Sequence, residues 1–225
     1  MKKLIKVICI VFCICFGAFI FVGCKTQNPL ISSVSELRND IFLGSNENFT
    51  IKGQYGFKEN PYQNDGKVGD KIYLLTFKLV DKEIEDITYS ISLDYNSFTY
   101  TSAFKLNPIT HKVIAEIEIE NFDLKEFKVK LCYGGNIEEI VMKSIVPTDT
   151  ISYEKALISL YTNQSNLISV YTDQDGNFNA EIYIRLVVKN DKSFWYVGIA
   201  NGNNNLKALL VDGKTAEVLA IRDIF

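Results

Sequence analysis

Residues 112–133 read KVIAEIEIENFDLKEFKVKLCY, and this stretch decides the fold class. Apolar residues occupy every second position. Ile117 and Ile119 alternate with glutamates, and Val129 and Leu131 alternate with lysines. Successive side chains of a β-strand point to opposite faces, so each run predicts a strand with one buried and one solvated face.

A turn centred on Asp123 would pair the two runs as a hairpin. Ile117 would then lie opposite Val129, and Glu118 opposite Lys128. Cross-strand ion pairs of this kind contribute ~0.2–1 kcal/mol each, and burial of a large apolar side chain contributes ~1.5–3 kcal/mol. We expect a well-determined register, because a one-residue slip would turn the charged face inward.

Strand patterns extend on both sides of this stretch, from Phe49 to Val146. Alternation of period two recurs with turn residues between the runs, and no helical period of useful length occurs before residue 150. We therefore expect an immunoglobulin-like antiparallel β-sandwich over residues 36–148, ending near Pro147.

The pattern changes after Pro147. Ser152 can cap a helix whose buried face would hold Ala156, Leu157, Leu160 and Tyr161. Four strands are predicted to follow, at 179–188, 194–200, 206–211 and 217–222. Residues 149–225 are thus expected to form a small α+β domain, with a helix packed on an antiparallel sheet.

The second and third of these strands predict a hairpin. Trp195 would lie opposite Val211 and belong to the core, while Gly198 would meet Ala208 and allow close approach of the helix. Both faces of this hairpin are apolar, which is more surface than one short helix can cover. The second face should therefore meet either the N-terminal domain or an outside partner.

The C-terminal third carries a family resemblance. Residues 195–198 (WYVG), 208–215 (ALLVDGKT) and 217–219 (EVL) resemble the last strands of PepSY and PepSY-like domains, in which a VD-x-KTGE turn joins the final two strands. Residues 151–156 (ISYEKA) resemble the start of the helix of that family, and Ala216 stands where the family usually has glycine. Such domains occur in secreted bacterial proteins and in metallopeptidase propeptides. The resemblance therefore implies an α+β fold and a modulating role toward a peptidase.

The N-terminus carries a membrane-targeting pattern. Three lysines within the first six residues precede an uncharged stretch over 7–23, which Cys24 follows. The order resembles the lipobox of bacterial lipoproteins, with Phe21 where leucine is usual. It implies a signal peptide at 1–23, a palmitate-type lipid on Cys24, a tether at 24–35, and attachment to the extracytoplasmic face of the cell membrane. The alternative is an uncleaved signal anchor, which also places the body outside the cytoplasm.

Removal of residues 1–23 changes both charge and cysteine content. It leaves 21 basic against 27 acidic residues, so the net charge moves from −3 to −6. This disfavours a nucleic-acid partner, since no basic stripe remains. Only Cys24 and Cys132 remain, so an acylated Cys24 leaves no intramolecular disulfide.

Residues that could carry chemistry are few. His111 is the only histidine and stands without a metal or hydrolase motif, and no base is evident beside Cys132. Residues 173–177 (DQDGN) resemble the start of a calcium loop, but Phe178 and Ile184 stand where glycine and glutamate are required. We expect a turn there, no metal or cofactor, and no enzymatic activity.

The remaining candidate is aromatic. Tyr95, Phe98 and Tyr100 lie among short polar residues and could stack on a sugar, although packing in the core would equally explain them. The sequence predicts a non-catalytic lipoprotein that binds or modulates an envelope protein or peptide. The alternative is a lipoprotein that binds carbohydrate or cell wall through these three rings.

Overall fold

The computed structural model describes residues 28–61, 67–80, 88–107, 111–201 and 206–224. Most of these residues lie in strands, which confirms the mainly-β class. The predicted signal peptide (1–23), Cys24 and residues 25–27 lie outside the described residues. The helices are α1 (Pro29–Ser32), α2 (Tyr153–Asn163) and α3 (Ser165–Ser169). The strands are β1 (Val34–Ser45), β2 (Thr50–Glu59), β3 (Lys71–Leu79), β4 (Tyr89–Tyr95), β5 (Phe98–Ala103), β6 (Lys105–Asn107), β7 (Lys112–Glu118), β8 (Glu126–Tyr133), β9 (Asn136–Ser144), β10 (Glu181–Lys189), β11 (Lys192–Ala200), β12 (Leu206–Asp212) and β13 (Val218–Ile224).

All these strands belong to one sheet. One path runs β13-β12-β11-β10-β1-β2-β3-β7-β6, and a second leaves β1 through β9, β8, β4 and β5. Strands β1–β9 form a nearly closed, antiparallel, barrel-like sheet, and β10–β13 extend it. The expected sandwich of two sheets is not what forms, because β1 pairs along both edges and joins the two halves into one sheet.

Strand β1 is shared between the barrel and the extension. Its first half, Val34–Arg38, pairs in parallel with β10, whereas Phe42 and Leu43 pair on the same side with β9. The pairing with β2 shifts register between Arg38 and Asp40. A bulge of this kind bends a strand and strengthens its twist, so the bulge lies where β1 passes from one partner to the other.

The hairpin predicted for residues 112–133 does not form. Strand β7 lies between β3 and β6, and β8 lies between β4 and β9. Ile117 accordingly faces Leu75, and Val129 faces Ile140. The predicted strands and their buried faces are confirmed, since both residues are buried, but their pairing with each other is wrong.

The connection between β7 and β8 contains a buried aromatic residue. Phe122 packs with its ring centroid 5.0 Å from that of Phe127 and 5.5 Å from that of Tyr55. Its backbone N–H donates to the hydroxyl of Tyr55 at 3.2 Å. Burial of this ring holds the connection against the barrel core, so the two strands separate instead of folding back on each other.

Residues 28–35, expected within the tether, contain regular structure. Asn28 accepts a hydrogen bond from the N–H of Leu30 and so caps α1. Leu30 and Val34 are buried in the core of the C-terminal unit. Residues 28–35 are therefore part of the folded unit and not a free tether, and the division at residues 148 and 149 stays a prediction.

The C-terminal core lies between α2 and the extension. The Ser152 hydroxyl accepts from the Lys155 N–H at 3.4 Å, which confirms the predicted cap. Ala156, Leu157 and Leu160 are fully buried. Tyr161 was expected on the same face but is exposed, because it lies on the side of the helix turned away from the sheet.

The predicted β11–β12 hairpin is confirmed in its register. Trp195 pairs with Val211 and Gly198 with Ala208, and Trp195 is buried. Residues alternate between faces along a strand, so Gly198 and Ala208 lie on the face opposite Trp195 and α2. The atoms nearest a Cβ at Gly198 belong to Tyr183, at 3.6 Å. The small pair therefore accommodates Tyr183, and the expectation that it accommodates the helix was wrong.

Candidate interaction surface

One face of the extension is exposed and largely apolar, with an arginine at two positions. Side chains on this face alternate with the buried ones of the core, and Tyr196 and Val187 are 37% and 42% exposed. The face arises because β11 and β12 are apolar at consecutive positions, whereas one side alone faces α2. We call it the open face: Arg185, Val187, Phe194, Tyr196, Leu210, Ala220 and Arg222.

The open face ends at β13, the last strand of the sheet, which has a neighbouring strand on one side. Strand β13 pairs with β12 alone among the described residues, and it terminates the sheet. Leu219, Ile221 and Ile224 are exposed along it, with Ile221 at 44%. Unpaired backbone N–H and C=O groups on such an edge are a template for another strand. We call this side of β13 the outer edge.

The turn before β13 is held by Asp212. Its carboxylate accepts the backbone N–H groups of Lys214 and Thr215, each at 2.8 Å. These hydrogen bonds lower the pKa of Asp212, because they favour the ionised carboxylate. Ala216 has φ 63°, a left-handed conformation that glycine adopts without steric cost. The turn thus gives β13 a defined start.

A chain of charges borders the open face at β1. The Glu36 carboxylate contacts both the Arg38 guanidinium at 3.1 Å and the Arg185 guanidinium at 3.2 Å. Arg38 also donates to the Thr76 hydroxyl at 3.3 Å, across Gly56 of the intervening strand. These bonds compensate the buried guanidinium of Arg38 and tie β10, β1 and β3 together.

The structure brings the three candidate aromatic residues to one end of the barrel. Tyr95 faces Phe98 across the β4–β5 hairpin, and the Phe98 and Tyr100 rings are 6.4 Å apart. The Tyr95 hydroxyl lies 2.8 Å from the Asn121 carbonyl oxygen, and its ring packs on Phe122. Phe98 is 67% exposed, whereas Tyr95 and Tyr100 are half-buried against the core. A sugar would therefore meet one open ring at this site.

The other sequence candidates occupy turns and strands. His111 is exposed in a turn at φ 51°, and Cys132 is half-buried within β8. The Asp173 carboxylate accepts the N–H groups of Asp175 and Asn177, so residues 173–177 form the expected turn. Within the described ranges, no group of three or more His, Cys, Asp or Glu residues could hold a metal ion.

The sequence predicts two apolar faces on the β11–β12 hairpin but does not predict which neighbours cover them. It also gives no indication of a role for Val187 or for the exposed residues of β13. The signal was present in the uninterrupted apolar run from Phe194 to Ala200 beside that from Ala208 to Val211. What it lacked was the strand order, which places β13 at the end of the sheet.

Comparison with protein-family models and with curated proteins finds no match to this chain. Among the described residues, no helix has the length and apolar character needed to cross a membrane.

Proposed function

We propose that the protein is a non-catalytic lipoprotein, anchored through Cys24 on the extracytoplasmic face of the cell membrane, that binds an extended segment of an envelope protein or peptide. Two or more acyl chains hold a protein stably at ~0.8 kcal/mol per buried CH₂. The anchor keeps the binding surface close to envelope partners.

The observation that carries the binding proposal is the outer edge beside the open face. An added strand gains main-chain hydrogen bonds from an edge strand, and pockets beside it select alternate side chains. Ile221 and Ile224 lie on opposite faces of β13 and are both exposed. A segment with alternating apolar residues would cover both.

We further infer that residues 149–225 form a PepSY-like unit. Support comes from the Ser152-capped helix, the antiparallel β10–β13 strands and the turn at Asp212. The family resemblance makes an envelope peptidase the first partner to test.

Site-specific photo-crosslinking tests the binding proposal. A benzophenone amino acid replaces Ile221 in the full-length protein in its own host, and cells are irradiated. We expect a protein adduct, because this side chain lies within reach of a strand paired to the outer edge. Leu219→Lys should abolish the adduct, since a charge on an edge strand opposes pairing.

Ile137 provides the matched control. It is an exposed isoleucine, 68% accessible, on β9 of the barrel. Equal adducts from positions 137 and 221, or an adduct at 221 that persists with Leu219→Lys, would contradict the proposal. The carbohydrate alternative depends on Phe98. With the benzophenone amino acid at position 98, an adduct that resists protease and releases cell-wall sugar would favour this alternative.

A further inference from the structure

Exposed apolar residues lie on the outer side of α2 and directly after α3. Ala156, Leu157 and Leu160 pack inward, which leaves Ile158 and Tyr161 on the opposite side of the helix. These two are three positions apart and are neighbours on a helical surface. Val170, directly after α3, is 57% exposed. We call Ile158, Tyr161 and Val170, with the exposed polar residues Thr162, Ser165 and Ser169 of the same two helices, the helical face.

Beyond the first turn of α2, which holds Glu154 and Lys155, neither α2 nor α3 carries a charged residue. Residues 156–172 contain no Asp, Glu, Lys or Arg, and neither do residues 26–35. The chain as a whole has 51 such residues in 225, so two adjoining uncharged segments are unusual for its surface. Solvated surfaces normally interleave charges with apolar residues. The composition suits contact with a less polar medium.

The helical face adjoins the point where the chain leads to Cys24. A cleft of about 270 Å³ is lined by Pro29, by residues of α2 and α3 that include Tyr161 and Ser169, and by residues of the loop after α3. Cys24 is five residues before Pro29. A chain extends at most ~3.6 Å per residue, so the anchored cysteine lies within ~18 Å of Pro29.

From these observations we propose that the helical face rests on the surface of the bilayer. The proposal rests on the anchoring of the chain at its N-terminus, which is part of the proposed function. Tyrosine is favoured at membrane interfaces, where its ring meets the acyl region and its hydroxyl meets water. Isoleucine and valine beside it add apolar area. The face ends at Asp173, whose carboxylate is turned toward the N–H groups of its own loop.

This contact orients the binding surface. Helix α2 packs on one side of the extension, and the open face lies on the other. With the helical face on the bilayer, the open face points away from the membrane. A partner segment could then reach the outer edge without competing with lipid.

Fluorescence quenching by lipid tests the orientation. An environment-sensitive fluorescent amino acid replaces Ile158 or Val170 in the full-length protein, which is isolated with its anchor from host membranes. The protein is reconstituted in phosphatidylglycerol–phosphatidylethanolamine vesicles that contain spin-labelled lipid. We expect loss of fluorescence at both positions relative to vesicles without spin label.

Ile137 is again the matched control. Ile137 is next to Glu138, whose carboxylate accepts a hydrogen bond from Asn48 just after the C-terminal end of β1. Helix α1, by contrast, lies just before the N-terminal end of β1. Eleven residue steps of at most ~3.3 Å separate those ends by up to ~36 Å. Quenching at 137 equal to that at 158 and 170 would overturn the proposal.

Labelling with palmitate separates this proposal from the anchoring proposal. If wild-type protein takes up no label, or Cys24→Ser takes up as much, acylation of Cys24 is wrong. An uncleaved N-terminal anchor would still hold the chain at the same place, and the quenching comparison would still decide the orientation. If Cys24 takes up label but fluorescence at positions 158 and 170 is not selectively quenched, the anchoring proposal stands and the proposed contact of the helical face with the bilayer is wrong.

Discussion

Trp195 joins three parts of the C-terminal unit. Its ring is buried in the core beneath α2, it pairs with Val211 in the β11–β12 hairpin, and its indole N–H donates to the Ile151 carbonyl oxygen at 3.1 Å. That hydrogen bond fixes the segment that leads into α2. One side chain therefore sets the position of the helix relative to the sheet.

Removal of this ring should destabilise the unit strongly. Trp195→Ala is expected to lower the free energy of unfolding by ~3–5 kcal/mol, the usual cost of a large aromatic cavity. Trp195→Phe keeps most of the volume and should lose less. Thermal melting followed by circular dichroism measures both. A melting temperature for Trp195→Ala within a degree or two of wild type would show that the ring is not in the core.

At the scale of elements, the alternation of apolar and charged residues predicts where strands form but not which strands pair with each other. The charges on β7 and β8 find other neighbours: Lys128 pairs with Glu139 at 2.6 Å and Lys130 with Asp94 at 3.2 Å. Glu118, the expected partner of Lys128, lies on the other branch of the barrel. Charge complementarity on a strand is easily satisfied by several neighbours, so it selects no single one.

The pairing of β1 with β2 has a steric requirement that local pattern does not show. A Cβ at Gly56 would lie 1.9 Å from the Leu37 carbonyl oxygen, beside the bulge in β1. Gly56→Ala should force the two backbones apart and destabilise the fold by at least ~1–3 kcal/mol, as overpacking does. Urea denaturation measures the change.

Gly198→Ala is the matched comparison for this substitution. The atom nearest its added Cβ is 3.6 Å away, an ordinary contact, and Gly198 has no positive φ. The change should be neutral or stabilise the protein by ~0.4–1 kcal/mol through the unfolded state. Equal losses at positions 56 and 198 would show that the close approach at Gly56 is not what limits substitution there.

At the scale of the whole molecule, β1 couples the barrel to the extension. Its first half covers one edge of β10, and Leu30, Val34 and Leu37 contribute to the C-terminal core. A fragment of residues 149–225 lacks all of these. A unit of this size is already marginal, because it buries a smaller share of its surface, so the loss of part of its core should cost it much of its stability.

We therefore expect the intact chain to unfold in a single transition. Trp195 is the only tryptophan, so its fluorescence reports on the C-terminal core, while far-ultraviolet circular dichroism reports chiefly on the many strands. Coincident curves in urea would indicate one cooperative unit. Fragments 36–148 and 149–225 that each fold cooperatively would support the predicted division at 148 and 149.

The sequence by itself determined the mainly-β class, the buried side of each strand from 112 to 133, the Ser152 cap and the register of the β11–β12 hairpin. These features depend on periodicity, capping chemistry and short connections, all of which act between residues close in the chain. The tertiary structure decided which strands neighbour β7 and β8, the sharing of β1, and the exposure of Tyr161 and the open face. Those features depend on contacts between distant segments, such as Val34 with Ile182 and Phe122 with Tyr55, where burial of side chains selects one arrangement among several that the local pattern allows.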